Sequence, residues 1–189
     1  MRLVGIDPGL TTGGIVAIDV GPDGLASLVS SASLGSKAEC RAEACHSVMF
    51  QVVGFLVNHA PDWLAIEANV MMGAAGRANG DVPLLGRGAI LAGIGMVNAG
   101  RLANPIGWLS ANPSKWRKAL GGHGKALAGE KGKPKRLCPK RLAYLSEHLK
   151  GAERLQGDHE QDAAFLALWL AQQVAAAQAG LDSVLEVQG

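Results

Sequence analysis

The sequence predicts one α/β domain built on a mixed sheet, and three observations predict it. Short apolar runs separated by turn signals fill the first 34 residues. Helical spacing follows, and then a further short apolar run and a helix–strand–helix succession. The composition also fits: of 189 residues, 48% are apolar and 18% charged, which suits a sizeable core and is too little charge for a disordered chain.

Leu3–Ile6 reads as a buried strand stopped by Asp7-Pro8-Gly9. Gly14–Val20 is a second strand. Gly21-Pro22-Asp23-Gly24 is a turn, and Leu25–Leu34 supplies a third strand, so the three form an antiparallel meander. Lys37–Asn58 places Ala44, Val48, Val52, Phe55 and Leu56 near helical spacing. Pro61 opens a new element, and Trp63–Ile66 is a buried strand ending at Glu67. Leu84–Val97 is a helix rich in small residues (Gly86, Gly88, Ala89, Gly93, Gly95). Leu102–Trp108 is expected as another strand. Asn112-Pro113 starts a helix running to Leu120. Gly121–Pro134 is rich in Gly and Lys and expected to be mobile. Leu137–Leu149 and His159–Ala177 are helices. Residues 1–189 are expected to form a single domain.

Cys40, Cys45 and Cys138 are too few for a disulfide framework and suit a reducing compartment. His46 stands beside Cys45, but no second ligand pair follows at zinc-finger spacing, so zinc is not expected. Asp7 interrupts the first apolar stretch, which excludes a signal peptide. The apolar runs Gly88–Val97 and Ala163–Leu170 fall short of the roughly 20 residues that span a bilayer. The protein is expected to be soluble and cytoplasmic, with no membrane partner.

Two acids follow apolar strands directly: Asp7 after Leu3–Ile6, and Glu67 after Trp63–Ile66. Ligands in open α/β sheets bind near strand ends, although a lone acid there also reads as a solvated loop residue or a helix cap. A third acidic group is Asp158-His159-Glu160-Gln161-Asp162, ahead of the apolar run Ala163–Leu170. Asp158 reads as an N-cap with Gln161 as its capping-box partner. His159 and Asp162, three apart, then share one helix face. Carboxylates with one histidine suit hard divalent cations such as Mg²⁺ or Mn²⁺. Two such ions about 3.5–4 Å apart activate water and stabilise the leaving oxygen of a phosphodiester.

These motifs carry a resemblance. Leu3-Val4-Gly5-Ile6-Asp7-Pro8-Gly9 resembles the opening motif of RuvC-type Holliday-junction resolvases, members of the RNase H-like nuclease superfamily. Ala65-Ile66-Glu67 is similar to their second motif, and Gly86-Arg87-Gly88-Ala89-Ile90 falls in the helix after it. His159-x-x-Asp162-Ala163-Ala164 resembles the last. The resemblance implies an RNase H-like mixed five-stranded sheet flanked by helices. It implies a homodimer that resolves four-way DNA junctions by paired symmetric nicks, in recombination and repair, in a bacterial or phage setting. It also implies two Mg²⁺ (or Mn²⁺) ions per site held by Asp7, Glu67 and Asp162. His159 would be the fourth ligand or orient the attacking water, and Asp158 is a possible substitute. Val70, Met71 and Met72 occupy the stretch where the family carries a junction wedge, and equally read as core or interface residues.

Net charge conceals a partition. Lys115, Arg117, Lys118, Lys125, Lys131, Lys133, Lys135, Arg136, Lys140 and Arg141 stand against one acid, Glu130, so residues 115–141 carry +9. The whole chain is +2, which leaves −7 elsewhere. Such a segment, with interspersed glycines, is expected to be a flexible arm following a phosphate backbone. Trp116 within it is expected to pack or to stack on a base. The small-residue helix 84–97 suits close approach of a second copy, as two symmetric cuts require two-fold symmetry.

Three other classes remain. An ATPase of the sugar-kinase type fits Thr11-Thr12-Gly13-Gly14 loosely, but the chain is short for two such domains and lacks a second phosphate motif, so no nucleotide cofactor is expected. A non-catalytic junction-binding protein would not need Asp7, Glu67 and Asp162. Another RNase H-like nuclease, acting on flaps, branches or RNA–DNA hybrids, is separated from junction resolution by the resemblance alone.

Overall fold

Strand β1 (Arg2–Asp7) alternates two faces. Leu3 belongs to one core, and Val4 and Ile6 to another. This period of two gives the molecule three layers. The computed structural model describes residues 1–68, 81–120 and 139–187, with side chains described to Gly180 except those of Asp81, Pro83, Pro139 and Lys140.

The sheet has the order β5-β4-β1-β2-β3-β6. β2 (Gly13–Val20) and β3 (Ala26–Leu34) complete the antiparallel meander with β1. β4 (Trp63–Glu67) lies parallel to β1, and β5 (Gly107–Ala111) parallel to β4. Among the described residues the sheet therefore has six strands, not the five expected. The extra one, β6 (Leu149–Lys150), pairs with Ala26 and Ser27 of β3. Two residues are too short to leave a periodic signal in the sequence.

The last long strand also starts later than expected, at Gly107 instead of Leu102. Pro105 has no N–H for a ladder. Asn98 captures Ile106 at both backbone groups, donating to its carbonyl at 3.1 Å and accepting from its N–H at 2.8 Å. The chain is thus held in a turn until Gly107.

Helices α1 (Arg41–His59) and α2 (Asp81–Ala99) cover one face through Val48, Val52, Leu56, Ile90 and Ile94. The other face carries α3 (Pro113–Ala119), α4 (Pro139–His148) and α5 (Asp158–Val187). The apolar run Ala163–Leu170 of α5 is buried along its whole length. Asn112 caps α3 as its sequence suggests, accepting the Ser114 N–H at 2.9 Å behind Pro113. The basic segment 115–141 is therefore not one continuous arm. Its two ends are helical, and residues 121–138 lie outside the described residues. Among the described residues no helix is long and apolar enough to cross a membrane.

Part of the small-residue face of α2 is used within the chain. A Cβ on Gly86 would stand 2.8 Å from the backbone nitrogen of Leu10, and one on Gly93 would stand 3.0 Å from the Met49 carbonyl. Among the described residues nothing lies within 4 Å of a Cβ placed on Gly88 or Gly95.

Candidate active site

Asp7 and Glu67 end adjacent parallel strands. Ile6 is registered with Ile66, so the two acids follow side by side on strands about 4.8 Å apart. They keep the parity of Leu3 and Ala65, which face the α5 side. Helix α5 crosses β1 and β2 where neither carries a side chain. A Cβ on Gly5 would collide with the carbonyl of Ala163, and one on Gly14 with the backbone of His159 and Glu160. That close approach delivers His159 and Asp162 to the strand ends.

His159 Nδ1 lies 2.6 Å from Asp7 Oδ2. Asp7 is buried, and the imidazole side chain is 48% exposed. Glu67 Oε1 accepts from Trp116 Nε1 at 3.3 Å and from Arg117 Nη2 at 3.2 Å. Asp162 is paired with Arg141. Burial pushes the Glu67 carboxyl up to about 7, helped by the Asp7 charge and opposed by Arg117. Burial likewise raises Asp162, against the pull of Arg141. Three acids near one point repel one another, so the site favours positive charge.

Asp7, Glu67, His159 and Asp162 are thus brought together from three elements. Asp158 is the first residue of α5, and among the described residues no hydrogen bond or ion pair joins it to the other acids. The expected capping box is replaced. Glu160 takes the Gln156 N–H and the hydroxyls of Ser31 and Ser33, each at 3.0 Å. Gln161 is fully buried, and its amide finds no partner among the described residues. Glu160 is a polar core anchor whose two serine partners lie over 120 residues away, where no local pattern announces them.

The basic residues divide. Lys115 and Lys118 are exposed on α3. Trp116 is fully buried, with its ring 6.3 Å from Phe165, so the expectation of base stacking is corrected: the indole is core, and its N–H serves Glu67. Arg141 is also buried and spent on Asp162, and Arg117 is engaged by Glu67. Both are here partners of the acids. Sequence missed these pairings because they span 50 and 21 residues. Lys125, Lys131, Lys133, Lys135 and Arg136 lie outside the described residues, as do the side chain of Lys140 and the expected wedge residues Val70, Met71 and Met72.

The donor set, three carboxylates and an imidazole, suits a hard divalent cation. Among the described residues no three such groups already converge as a formed metal centre, and arginines hold two of the acids. The fit lies in the surplus of buried negative charge and in those arginines, which fill the place of a cation.

An acid at the end of each of two neighbouring parallel strands, and a third from the helix laid over them, define the class: an RNase H-like α/β fold with a carboxylate centre. Similarity gives the family. The crossover junction endodeoxyribonuclease RuvC of a Nocardioides species is 33% identical over 127 residues, covering 67% of each chain, and the chain belongs to the RuvC family. No family model matches. Among solved structures, Thermus thermophilus RuvC aligns with a TM-score of 0.67 at 22% identity, over 94% of this chain and 97% of that one. The same protein in complex with Holliday junction substrate gives 0.63 at 21%, over 89% and 92%. The yeast mitochondrial Holliday junction resolvase gives 0.59 at 12%, over 91% and 80%.

Proposed function

We propose that the chain resolves four-way DNA junctions as a metal-dependent, structure-selective endonuclease, hydrolysing one phosphodiester in each of two opposed strands. Family membership supports junction resolution and hydrolytic nuclease chemistry. The observation that carries the site is that Asp7 and Glu67 end adjacent strands beneath α5, with His159 on Asp7 and Asp162 within electrostatic reach of both.

Asp7, Glu67 and Asp162 are the residues that would hold Mg²⁺ or Mn²⁺. Two ions there would lower the pKa of the attacking water and neutralise charge on the departing oxygen. The chain's own residues do the rest. Asp7 fixes the imidazole of His159 through Nδ1 and so orients a half-exposed base at the mouth of the site. Trp116 and Phe165 close the site from behind and exclude water from the inner face of Glu67. Lys115 and Lys118 supply exposed charge for phosphates, and the lysines of residues 121–138 extend that charge. Residues 1–189 form a single nuclease domain in this reading, acting as a homodimer on branched DNA in a bacterial cytoplasm with no nucleotide cofactor.

The test is cleavage with Mg²⁺ on four-way, flap and RNA–DNA hybrid substrates. Symmetric nicks confined to the four-way junction are expected. Preferential cutting of flaps or hybrids would assign the chain to another branch of the superfamily. Tight junction binding with no cutting would make it a binding protein.

A further inference from the structure

Two arginines occupy carboxylates that the proposed chemistry assigns to metal. Arg117 of α3 reaches Glu67, and Arg141 of α4 reaches Asp162. Each guanidinium lies over a ring: Arg117 is 4.9 Å from the Trp116 centroid, and Arg141 is 5.1 Å from that of Phe165. The two rings stack on each other. The Nε of both arginines is buried and without a hydrogen-bond partner among the described residues.

We propose that Arg117 and Arg141 are displaceable counter-ions that occupy Glu67 and Asp162 in the metal-free protein and thereby set its metal affinity. This rests on reading those acids as metal ligands. Without cations, three clustered carboxylates would repel one another in a poorly solvated pocket. Two guanidinium charges offset part of that and favour the ionised acids, against the burial that raises both. A divalent ion bound to these carboxylates competes with the guanidinium groups for the same negative charge, so loading weakens both ion pairs. Divalent cations beside the acids would then also repel the arginines.

The pairings are suited to exchange. Each guanidinium bonds its acid through a single Nη2 and leaves a buried Nε without a partner among the described residues, which costs stability. An oxyanion with two available oxygens satisfies Nε and Nη2 together. A DNA phosphodiester, tetrahedral at phosphorus, offers two such non-bridging oxygens. Metal takes the acids, and the released arginines meet the phosphate. The aromatic seats keep both guanidinium groups beside the site while partners change.

The experiment is Mn²⁺ titration of the full-length protein without DNA, by calorimetry and by electron paramagnetic resonance, alongside the melting temperature of the metal-free protein. Arg117→Gln and Arg141→Gln are each expected to bind Mn²⁺ about tenfold more tightly than wild type while the metal-free melting temperature falls. Arg117→Lys, which keeps the charge, is expected to stay within about threefold of wild type. A purely structural arginine would lower stability and metal affinity together. Unchanged or weaker Mn²⁺ binding in Arg117→Gln overturns the proposal. Arg117 is about one-third exposed, so that variant decides the matter if Arg141→Gln fails to fold. Glu67→Gln and Asp162→Asn separate the two layers of inference. If both bind Mn²⁺ as wild type does, the metal-ligand reading fails and the counter-ion proposal falls with it. If both lose Mn²⁺ and Arg117→Gln is unchanged, only the counter-ion proposal falls.

Discussion

Gly5 of β1 lies directly beneath Ala163 of α5, so close that a methyl group on Gly5 would collide with the Ala163 carbonyl. The contact sets the height of α5 above the sheet. Asp162 is the residue before Ala163, and Asp7 lies two residues beyond Gly5. One backbone-on-backbone contact therefore fixes the distance between two acids that are 155 residues apart in sequence.

Gly5→Ala is expected to lift α5 and cost about 2–4 kcal/mol, since backbone cannot yield as a side-chain tip can. Urea unfolding measures the loss, and a change under about 0.5 kcal/mol would show that the helix is not seated there. Metal-dependent cleavage should fall further than stability does, because Asp162 moves with the helix.

Asp7→Asn, Glu67→Gln and Asp162→Asn are each expected to slow nicking by about 10³-fold or more while junction affinity is preserved or rises. Single-turnover cleavage and gel-shift titration on the same four-way junction check this. Robust cutting by any of the three removes that residue from the site.

Glu67 gives the metal-free protein a pH dependence. Its folded-state value, about 7, lies above the ordinary 4.5. Burial therefore penalises the ionised form. The penalty is absent below about pH 4.5, grows as pH rises towards 7, and is constant above. Metal-free Glu67→Gln is expected to lose this slope and to exceed wild type at pH 8 by up to about 3 kcal/mol. Chemical denaturation across pH 5–8 in chelator is the measurement, and parallel curves for the two proteins would contradict it.

Trp116→Ala is expected to destabilise by about 3–5 kcal/mol, as the loss of a buried aromatic does. Trp116→Phe keeps most of the volume but removes the indole donor to Glu67. It should leave DNA affinity unchanged. A large loss of affinity in a folded Trp116→Phe protein would return the ring to the DNA.

Replacing Lys131, Lys133 and Lys135 with Ala should weaken junction binding and reduce the salt slope by about 3, at roughly 0.9 per phosphate contact. Affinity measured at several salt concentrations tests it. An unchanged slope would remove those lysines from the interface.

The sequence by itself determined what is local. Short apolar runs and the stops at Asp7 and Glu67 marked strands and placed an acid at each end. Asn112-Pro113 marked a helix start, and a wholly apolar run marked the buried helix Ala163–Leu170. The motifs in order also carried the family. Tertiary structure decided what depends on distant partners. It revealed β6, which needs β3 beside it to exist. It chose packing for Trp116, which the sequence left between packing and base stacking, and it paired Arg117 and Arg141 with acids that no local pattern connects to them. It also replaced the Asp158–Gln161 cap with Glu160 bound to two serines of β3. Periodicity and capping are set within a few residues along the chain. A burial or an ion pair is set by which surfaces meet after folding, and here α5 settling on Gly5 and Gly14 decided which surfaces those were.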